Sequence, residues 1–292
     1  MNTDDRFLLQ TSRLKVQISK PGAFYAGSRF DHNGFITDVT LDGKHTFCAP
    51  ESLTKGQGSG GCGLCGEFGI ESAVGYEDAG EGEGFIKIGV GQLIKPDSKP
   101  YDFFYPYEVI PAGASVTATA QSVRFGVAAA PCNGYAYEYE KTVSVDDNTL
   151  RISYALTNKG DKLISTTEYC HNFLAIDGRP IDRGYELTLS GCTELNRRNG
   201  EAVFENGVVT WPEGERKTSF YCLPDFRTDA AYTWQLIHTQ AGAGVRESVD
   251  FSPCKVALWG CLHVVSPEVF VRVDLVPGRT QTWTRTYEFF NL

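Results

Sequence analysis

Histidine is the residue type best suited to proton exchange near neutral pH, because its ordinary pKa is about 6.5. The chain has five histidines. His171 differs from the others in its surroundings, since a strand-like run precedes it and the turn signal Asp177-Gly178 follows. An imidazole near the end of a strand can be held rigidly and still reach a cleft. We therefore predict that His171 is a general acid or base.

Two short motifs resemble cofactor or metal sites but lack the context that such sites need. Residues 58–63 match the G-x-G-x-x-G pattern of dinucleotide-binding loops, which functions between a strand and a helix, and no helix is predicted here. Cys62 and Cys65 have the spacing of half a zinc site, but no second pair follows. We predict no metal site, and we interpret residues 55–63 as a long loop that carries free thiols.

Alternation of apolar and polar residues with a period of two recurs along the whole chain. It is clear at residues 150–156, 185–189 and 269–275, and it is typical of strands with one buried face. Turn signals such as Asn206-Gly207 separate these runs at short intervals. Helical periodicity is nearly absent. The sequence predicts an all-β fold, a large antiparallel β-sandwich formed as a single domain over residues 1–292, because no linker interrupts the pattern.

Charge and cysteine content limit the classes of partner and compartment. The 292 residues carry a formal net charge of −9, which argues against nucleic acid and anionic membranes as partners. Nine cysteines is an odd number, which does not fit a fully paired disulfide framework, and the N-terminal residues lack the basic and apolar regions of a secretory signal. A cytoplasmic location with reduced thiols is therefore predicted.

Three segments, in chain order, resemble the galactose mutarotases, also called aldose 1-epimerases. Residues 170–174 are similar to the family segment Asn-His-x-x-Phe-Asn-Leu-x-Gly, which carries its acid histidine, although Cys170 replaces the first Asn. Residues 27–39 resemble the opening hairpin of that fold, and residues 266–289 resemble its C-terminal strands. Residues 85–91 differ from the family, whose loop there usually carries a second His and an Arg.

This resemblance implies a galactose mutarotase-like supersandwich that interconverts the α and β anomers of an aldose or a sugar derivative. In that reaction a base takes the proton of the C1 hydroxyl, an acid protonates the ring oxygen, and C1 rotates in the open form. At the matching positions Glu268 is the base and His171 the acid. Arg29 and Lys87 would contact the substrate. The resemblance implies a small-molecule carbohydrate as partner and no metal or organic cofactor, and the sequence does not indicate an oligomeric state.

The same residues also have ordinary structural interpretations. Glu268 could be an exposed carboxylate at a strand start, and Arg29 could form a surface ion pair with Asp31. Trp259 and Trp283 are expected in the core rather than at a sugar-binding surface.

The remaining histidines are expected to be structural. We expect His32 and His45 to decorate a hairpin, and His263 to be partly buried.

Two other functions remain open. One is a non-catalytic carbohydrate-binding protein on the same fold. The other is a domain related to glycoside hydrolases or lyases, although a hydrolase needs two opposed carboxylates and only Glu268 is a candidate.

Overall fold

A computed structural model describes residues 5–212, 219–227 and 231–292. The strands of the N-terminal half are β1 (Arg6–Gln10), β2 (Leu14–Ser19), β3 (Ile36–Leu41), β4 (His45–Thr46), β5 (Leu64–Phe68), β6 (Gly84–Lys87), β7 (Gly91–Ile94), β8 (Val109–Pro111), β9 (Ala114–Ala118), β10 (Ser122–Ala128), β11 (Tyr137–Asp146) and β12 (Thr149–Asn158). Those of the C-terminal half are β13 (Ile164–Asn172), β14 (Tyr185–Leu189), β15 (Cys192–Asn199), β16 (Val203–Glu205), β17 (Val208–Thr210), β18 (Phe220–Phe226), β19 (Thr233–His238), β20 (Ala243–Val249), β21 (Lys255–Cys261), β22 (Val264–Leu275) and β23 (Thr280–Asn291). A 3₁₀ turn lies at Ile176–Gly178.

Two large antiparallel sheets form the body of the protein. One has the order β1-β2-β3-β5-β13-β22-β21-β18-β15, with β4 beside β3, and the other has the order β16-β17-β14-β19-β20-β23-β12-β11-β10-β9. A small sheet of β6, β7 and β8 lies outside them. The all-β sandwich predicted from the sequence is confirmed.

The core joins the two large sheets. Its main apolar cluster includes Ile18 and Leu64 from the first sheet and Ile152 from the second. Trp283 is also buried in this cluster, as predicted. Along β12, buried residues alternate with more exposed ones, as the period of two requires. The turn predicted at Asn206-Gly207 joins β16 to β17 with both residues at positive φ.

Strands β13 and β22 lie at the centre of the first sheet, and their backbone pairing is interrupted there. The backbone pairs end at Tyr169 and Phe270, and three residues before Phe270 stands Pro267, which has no N–H to donate. The side-chain amide of Asn172 instead donates to the Pro267 carbonyl at 2.6 Å. The sequence placed the strand start next to Pro267, but β22 begins earlier, at Val264. The proline therefore lies within the strand, at the ladder gap.

The long loop and the absence of a membrane-spanning helix among the described residues complete the description of the fold. The glycine-rich residues 55–63 lie in the long connection between β4 and β5, as predicted. In the part of the chain that the structure describes, no helix has the length and apolar character needed to cross a bilayer.

Candidate active site

His171 and Glu268 are in direct contact where the β13–β22 ladder is interrupted. The His171 Nε2 atom lies 3.2 Å from Oε1 of Glu268. Both side chains are nearly buried, with residue exposures of 4% and 5%. Phe173 stacks on the imidazole with ring centroids 3.8 Å apart, and Trp259 meets its edge at 5.3 Å. The sequence analysis selected these two residues although they are 97 positions apart. In the structure they lie side by side, buried and packed against aromatic rings.

A cavity of about 620 Å³ opens over this pair. Its wall is largely aromatic, and its polar groups include Arg29 together with the catalytic candidates. Besides His171 and Glu268, its lining residues include Arg29, Tyr101, Phe103, Tyr169 and Trp259. Sites that bind small molecules typically combine apolar walls with a few convergent polar groups. The pair thus lies where a ligand could reach it.

Burial moves the two pKa values of the pair in opposite directions. It raises the pKa of Glu268 from 4.5 to about 8, and Arg29 and Ser266 oppose this rise only partly. Burial also lowers the pKa of His171 well below 6.5, and the positive charge of Arg29 adds to this effect. Both shifts disfavour a charged group in a dry site. These opposite shifts favour the uncharged pair, with a neutral imidazole and a protonated Glu268 carboxyl.

Ser266 connects the two catalytic candidates and was not selected from the sequence. Its Oγ lies 2.9 Å from Nδ1 of His171 and donates to Oε1 of Glu268 at 3.3 Å. The Asn172 backbone N–H donates to the same Oγ at 2.9 Å. Because Ser266 has a single hydroxyl proton and donates it to Glu268, its Oγ can only accept a hydrogen bond from Nδ1. This assigns the imidazole proton to Nδ1 and leaves Nε2 facing Glu268. The sequence did contain a signal for Ser266, because residues 266 and 268 are two positions apart in a strand and therefore lie on the same face.

Glu67 is a second buried carboxylate that the sequence analysis missed. It lies fully buried on β5, opposite Tyr169 in the pairing of β5 with β13. The Tyr169 hydroxyl donates to Oε2 at 2.6 Å, Nε of Arg29 donates to the same atom at 2.9 Å, and Nζ of Lys87 donates to Oε1 at 3.2 Å. Burial alone would raise the pKa of Glu67, but the charges of Arg29 and Lys87 outweigh it and lower this pKa. Glu67 is therefore an ionised anchor for both cations.

The structure corrects the interpretation of Arg29 as a surface ion pair with Asp31. Arg29 is 5% exposed and pairs with Glu67, whereas Asp31 pairs with the buried Lys141. The guanidinium carbon lies 4.7 Å from the ring centroid of Phe103. Arg29 therefore borders the cavity, between the Glu67 anchor and an aromatic wall.

Lys87 ends strand β6 and lies behind the cavity wall. Its Nζ donates to Glu67, to the Gly69 carbonyl at 3.3 Å and to the Tyr101 hydroxyl at 2.9 Å. An ammonium group has three donors, so this set uses all of them. Direct contact of Lys87 with a substrate stays a prediction, and the observed geometry favours a role in orienting Glu67 and Tyr101.

Three other expectations differ from the structure. His32 and His45 are buried rather than decorating a hairpin, and Nδ1 of His45 lies 2.8 Å from Oδ2 of Asp177. Trp259 is not a core residue but lines the cavity beside His171. His263 is partly buried, as expected. A sequence pattern gives the face of a strand on which a residue lies, and it does not tell whether that face meets the core or a cleft.

Comparisons with known proteins identify the architecture. No family model matches the chain, and no curated protein matches it in sequence. Solved structures do match over nearly the whole chain. A galactose mutarotase related enzyme from Lactobacillus acidophilus is 12% identical with a TM-score of 0.60, covering 98% of this chain and 97% of the other.

The chain has the galactose mutarotase-like fold. Two further structures agree with this. A galactose mutarotase-like protein from Lactobacillus casei is 13% identical, covers 98% of this chain and 100% of its own, and has a TM-score of 0.57. An aldose epimerase homologue from C. elegans is 14% identical, with coverages of 98% and 99% and a TM-score of 0.52. At these identities the mutarotase-like fold is shared, and the chemistry must be argued from the site.

Proposed function

We propose that this protein interconverts the α and β anomers of a reducing sugar. The observation that carries the proposal is the 3.2 Å contact between Nε2 of His171 and Oε1 of Glu268 at the floor of an aromatic cavity. Anomer exchange needs one group that takes the proton of the C1 hydroxyl and one that protonates the ring oxygen. Those two oxygens are bonded to the same carbon, so two adjacent side chains can serve both.

The resemblance to the mutarotases assigns Glu268 as base and His171 as acid. In the free site the proton lies on Glu268, so this assignment requires its transfer to Nε2 of His171 across the 3.2 Å contact. Arg29 lowers the pKa values of both Glu268 and His171. It therefore favours the ionised form of Glu268 that the base role requires, and it also makes the protonated imidazole of His171 a stronger acid toward the ring oxygen. The proton then passes to the ring oxygen, and Glu268 accepts the proton of the C1 hydroxyl.

Ring closure reverses these steps after rotation about the bond between C1 and C2. The aldehyde oxygen regains a proton from Glu268, and His171 regains the proton of the attacking hydroxyl. The pair returns to its starting state, with one proton. The residues described here thus complete the cycle by proton transfer.

Polarimetry tests the proposal directly. Freshly dissolved α-glucose and α-galactose should approach their equilibrium rotation faster with the protein than without it, in proportion to protein concentration. An unchanged rate across a panel of sugars and sugar phosphates, together with measurable binding of one of them, would favour a non-catalytic carbohydrate-binding protein. Release of new reducing ends from an oligosaccharide would favour a hydrolase.

The shifted pKa values predict a specific pH profile. The active pair holds one proton, which the free site loses as the pH rises through the pKa of Glu268, about 8. A second proton binds only when the pH falls through the lowered pKa of His171, well below 6.5. After subtraction of the spontaneous rate, kcat/KM should be constant around neutrality and fall about tenfold per pH unit on the alkaline side. A rise in kcat/KM across pH 8 would contradict this account.

Ser266 is expected to act as a positioning residue. Its hydrogen bond lowers the pKa of Glu268, and its Oγ fixes the imidazole orientation. Ser266→Ala should reduce kcat about tenfold, a loss typical of a misplaced acid–base pair, and should move the alkaline limit of the profile to higher pH. Ser266→Thr keeps the hydroxyl and should restore the position of that limit. A loss of activity without a shifted limit would indicate a purely structural effect.

A further inference from the structure

We propose that the protein associates with a second copy of itself through strand β9, by antiparallel pairing across a two-fold axis at Val116. Strand β9 spans Ala114–Ala118 and forms one end of the second large sheet. Its partner would be β9 of the second copy, so the second sheets of the two copies would join into one. This inference does not depend on the proposed function, because β9 lies outside the cavity over His171 and Glu268.

The backbone of β9 presents unpaired groups at this sheet edge. Just beyond the strand, the Thr119 N–H donates to the Ser122 carbonyl at 2.8 Å. Hydrogen-bonded pairs alternate along an antiparallel ladder. The second and fourth residues before Thr119 therefore bond to β10, whereas the N–H and C=O groups of Ala114, Val116 and Ala118 point away from it. In the described part of the chain, these outward-pointing groups have no hydrogen-bond partner.

The sequence of β9 is nearly the same when read in either direction. It reads Ala-Ser-Val-Thr-Ala, with Val116 at its centre. Antiparallel pairing centred there would place Val116 opposite the partner's Val116 and Ala114 opposite the partner's Ala118. All the outward-pointing groups would then face one another and form about six backbone hydrogen bonds. On the other face Ser115 would lie opposite the partner's Thr117, a hydroxyl pair that stabilises antiparallel sheets.

Pairing through β9 would also cover apolar surface. Val116 is 38% exposed and lies opposite Phe125 of β10, which is fully buried. Cross-strand partners project from the same face of a sheet, so the partner's Val116 would extend the apolar face of the second sheet. The area covered by one five-residue strand is small, and small interfaces are weak and transient. We therefore expect a dimer that dissociates on dilution.

The other ends of the two large sheets have features that disfavour such pairing. Strand β15 carries the charged residues Glu194, Arg197 and Arg198 and has two shifts in its register with β18. Strand β16 has only three residues. Strand β1 starts with Arg6, and the N–H of its last residue already donates to the Ala120 carbonyl at 3.2 Å. Charges, bulges and short strands protect sheet edges from association. Strand β9 has no charged residue, proline or register shift.

Sedimentation equilibrium tests this inference. The wild type should change from monomer to dimer as its concentration rises from about 1 to about 500 µM. Val116→Lys places two like charges directly opposite each other at the two-fold axis, and it should raise the dimer dissociation constant about tenfold or more. Val116→Glu should have the same effect. An equimolar mixture of the two variants should recover dimerisation, because opposite charges then face each other.

The matched control is Val276→Lys. Val276 is 53% exposed in the connection between β22 and β23, so the same change there should leave the dissociation constant within about twofold of the wild type. A wild type that stays monomeric at every concentration would overturn the inference. A Val116→Lys variant that dimerises like the wild type would overturn it too, since the contact would lie elsewhere. A mixture of the two Val116 variants that stays monomeric would exclude the two-fold register.

Discussion

Glu268→Gln should lower kcat/KM for anomer exchange by about 10² to 10⁴-fold, the contribution of one positioned acid or base. The substitution keeps the shape of the side chain but removes the group that exchanges a proton with His171 at 3.2 Å. His171→Ala should cause a loss of similar size. Because the two residues act as one proton-sharing unit, the double variant should be little worse than either single variant. Polarimetry over a range of sugar concentrations, with the spontaneous rate subtracted, measures kcat/KM for all three variants.

The matched control for this prediction is Glu140→Gln. Glu140 is an exposed carboxylate on β11 in the second sheet and pairs with Arg124. The same chemical change there should leave kcat/KM within about twofold of the wild type. If Glu268→Gln were as active as Glu140→Gln, Glu268 would have no catalytic role.

Glu67→Gln should reduce the free energy of unfolding by about 3 to 5 kcal/mol, the usual effect of removing one partner from a buried ion pair. Glu67 is 0% exposed and accepts from Arg29, Lys87 and Tyr169. An uncharged amide leaves the buried Lys87 without its counter-charge, and it leaves Arg29 with only the more distant carboxylate of Glu51, at 3.9 Å. Urea unfolding monitored by tryptophan fluorescence measures the change. Arg29 should also lose its fixed position, so any remaining anomer exchange should show a raised KM.

Glu140→Gln serves again as the control, because water screens the exposed Arg124–Glu140 pair and its loss should change stability far less. The double variant Glu67→Gln/Lys87→Met should recover part of the lost stability, since it removes one of the stranded charges. A decrease of less than about 1 kcal/mol for Glu67→Gln would show that the buried network is not held by its charge.

The sequence allowed the architecture and two residues of the candidate site to be predicted, the first from local patterns and the second from local context and family resemblance. Period-two alternation predicts strands wherever one face is buried, and it is visible in each strand without its partner. His171 was recognisable from its local context and Glu268 from the family resemblance. Their direct contact depends on the register of β13 and β22, which the local pattern of either strand does not contain.

The anchor around Glu67 could not be predicted in the same way. Arg29, Glu67 and Lys87 lie on three segments that are distant in sequence, and each looks like an ordinary charged residue by itself. Only the fold brings them together and removes water from them. For the same reason the alternative interpretation of Arg29, a surface pair with Asp31, does not hold: proximity in sequence suggested it, whereas burial and long-range pairing decided the outcome.

The most direct test of the central claim is anomer exchange at equilibrium, measured by magnetisation transfer between the α and β anomeric protons in NMR spectra. We predict an exchange rate that increases linearly with protein concentration for at least one reducing sugar, and that returns to the spontaneous value with Glu268→Gln. A rate equal to the spontaneous one at every protein concentration, for monosaccharides and disaccharides alike, would contradict the account.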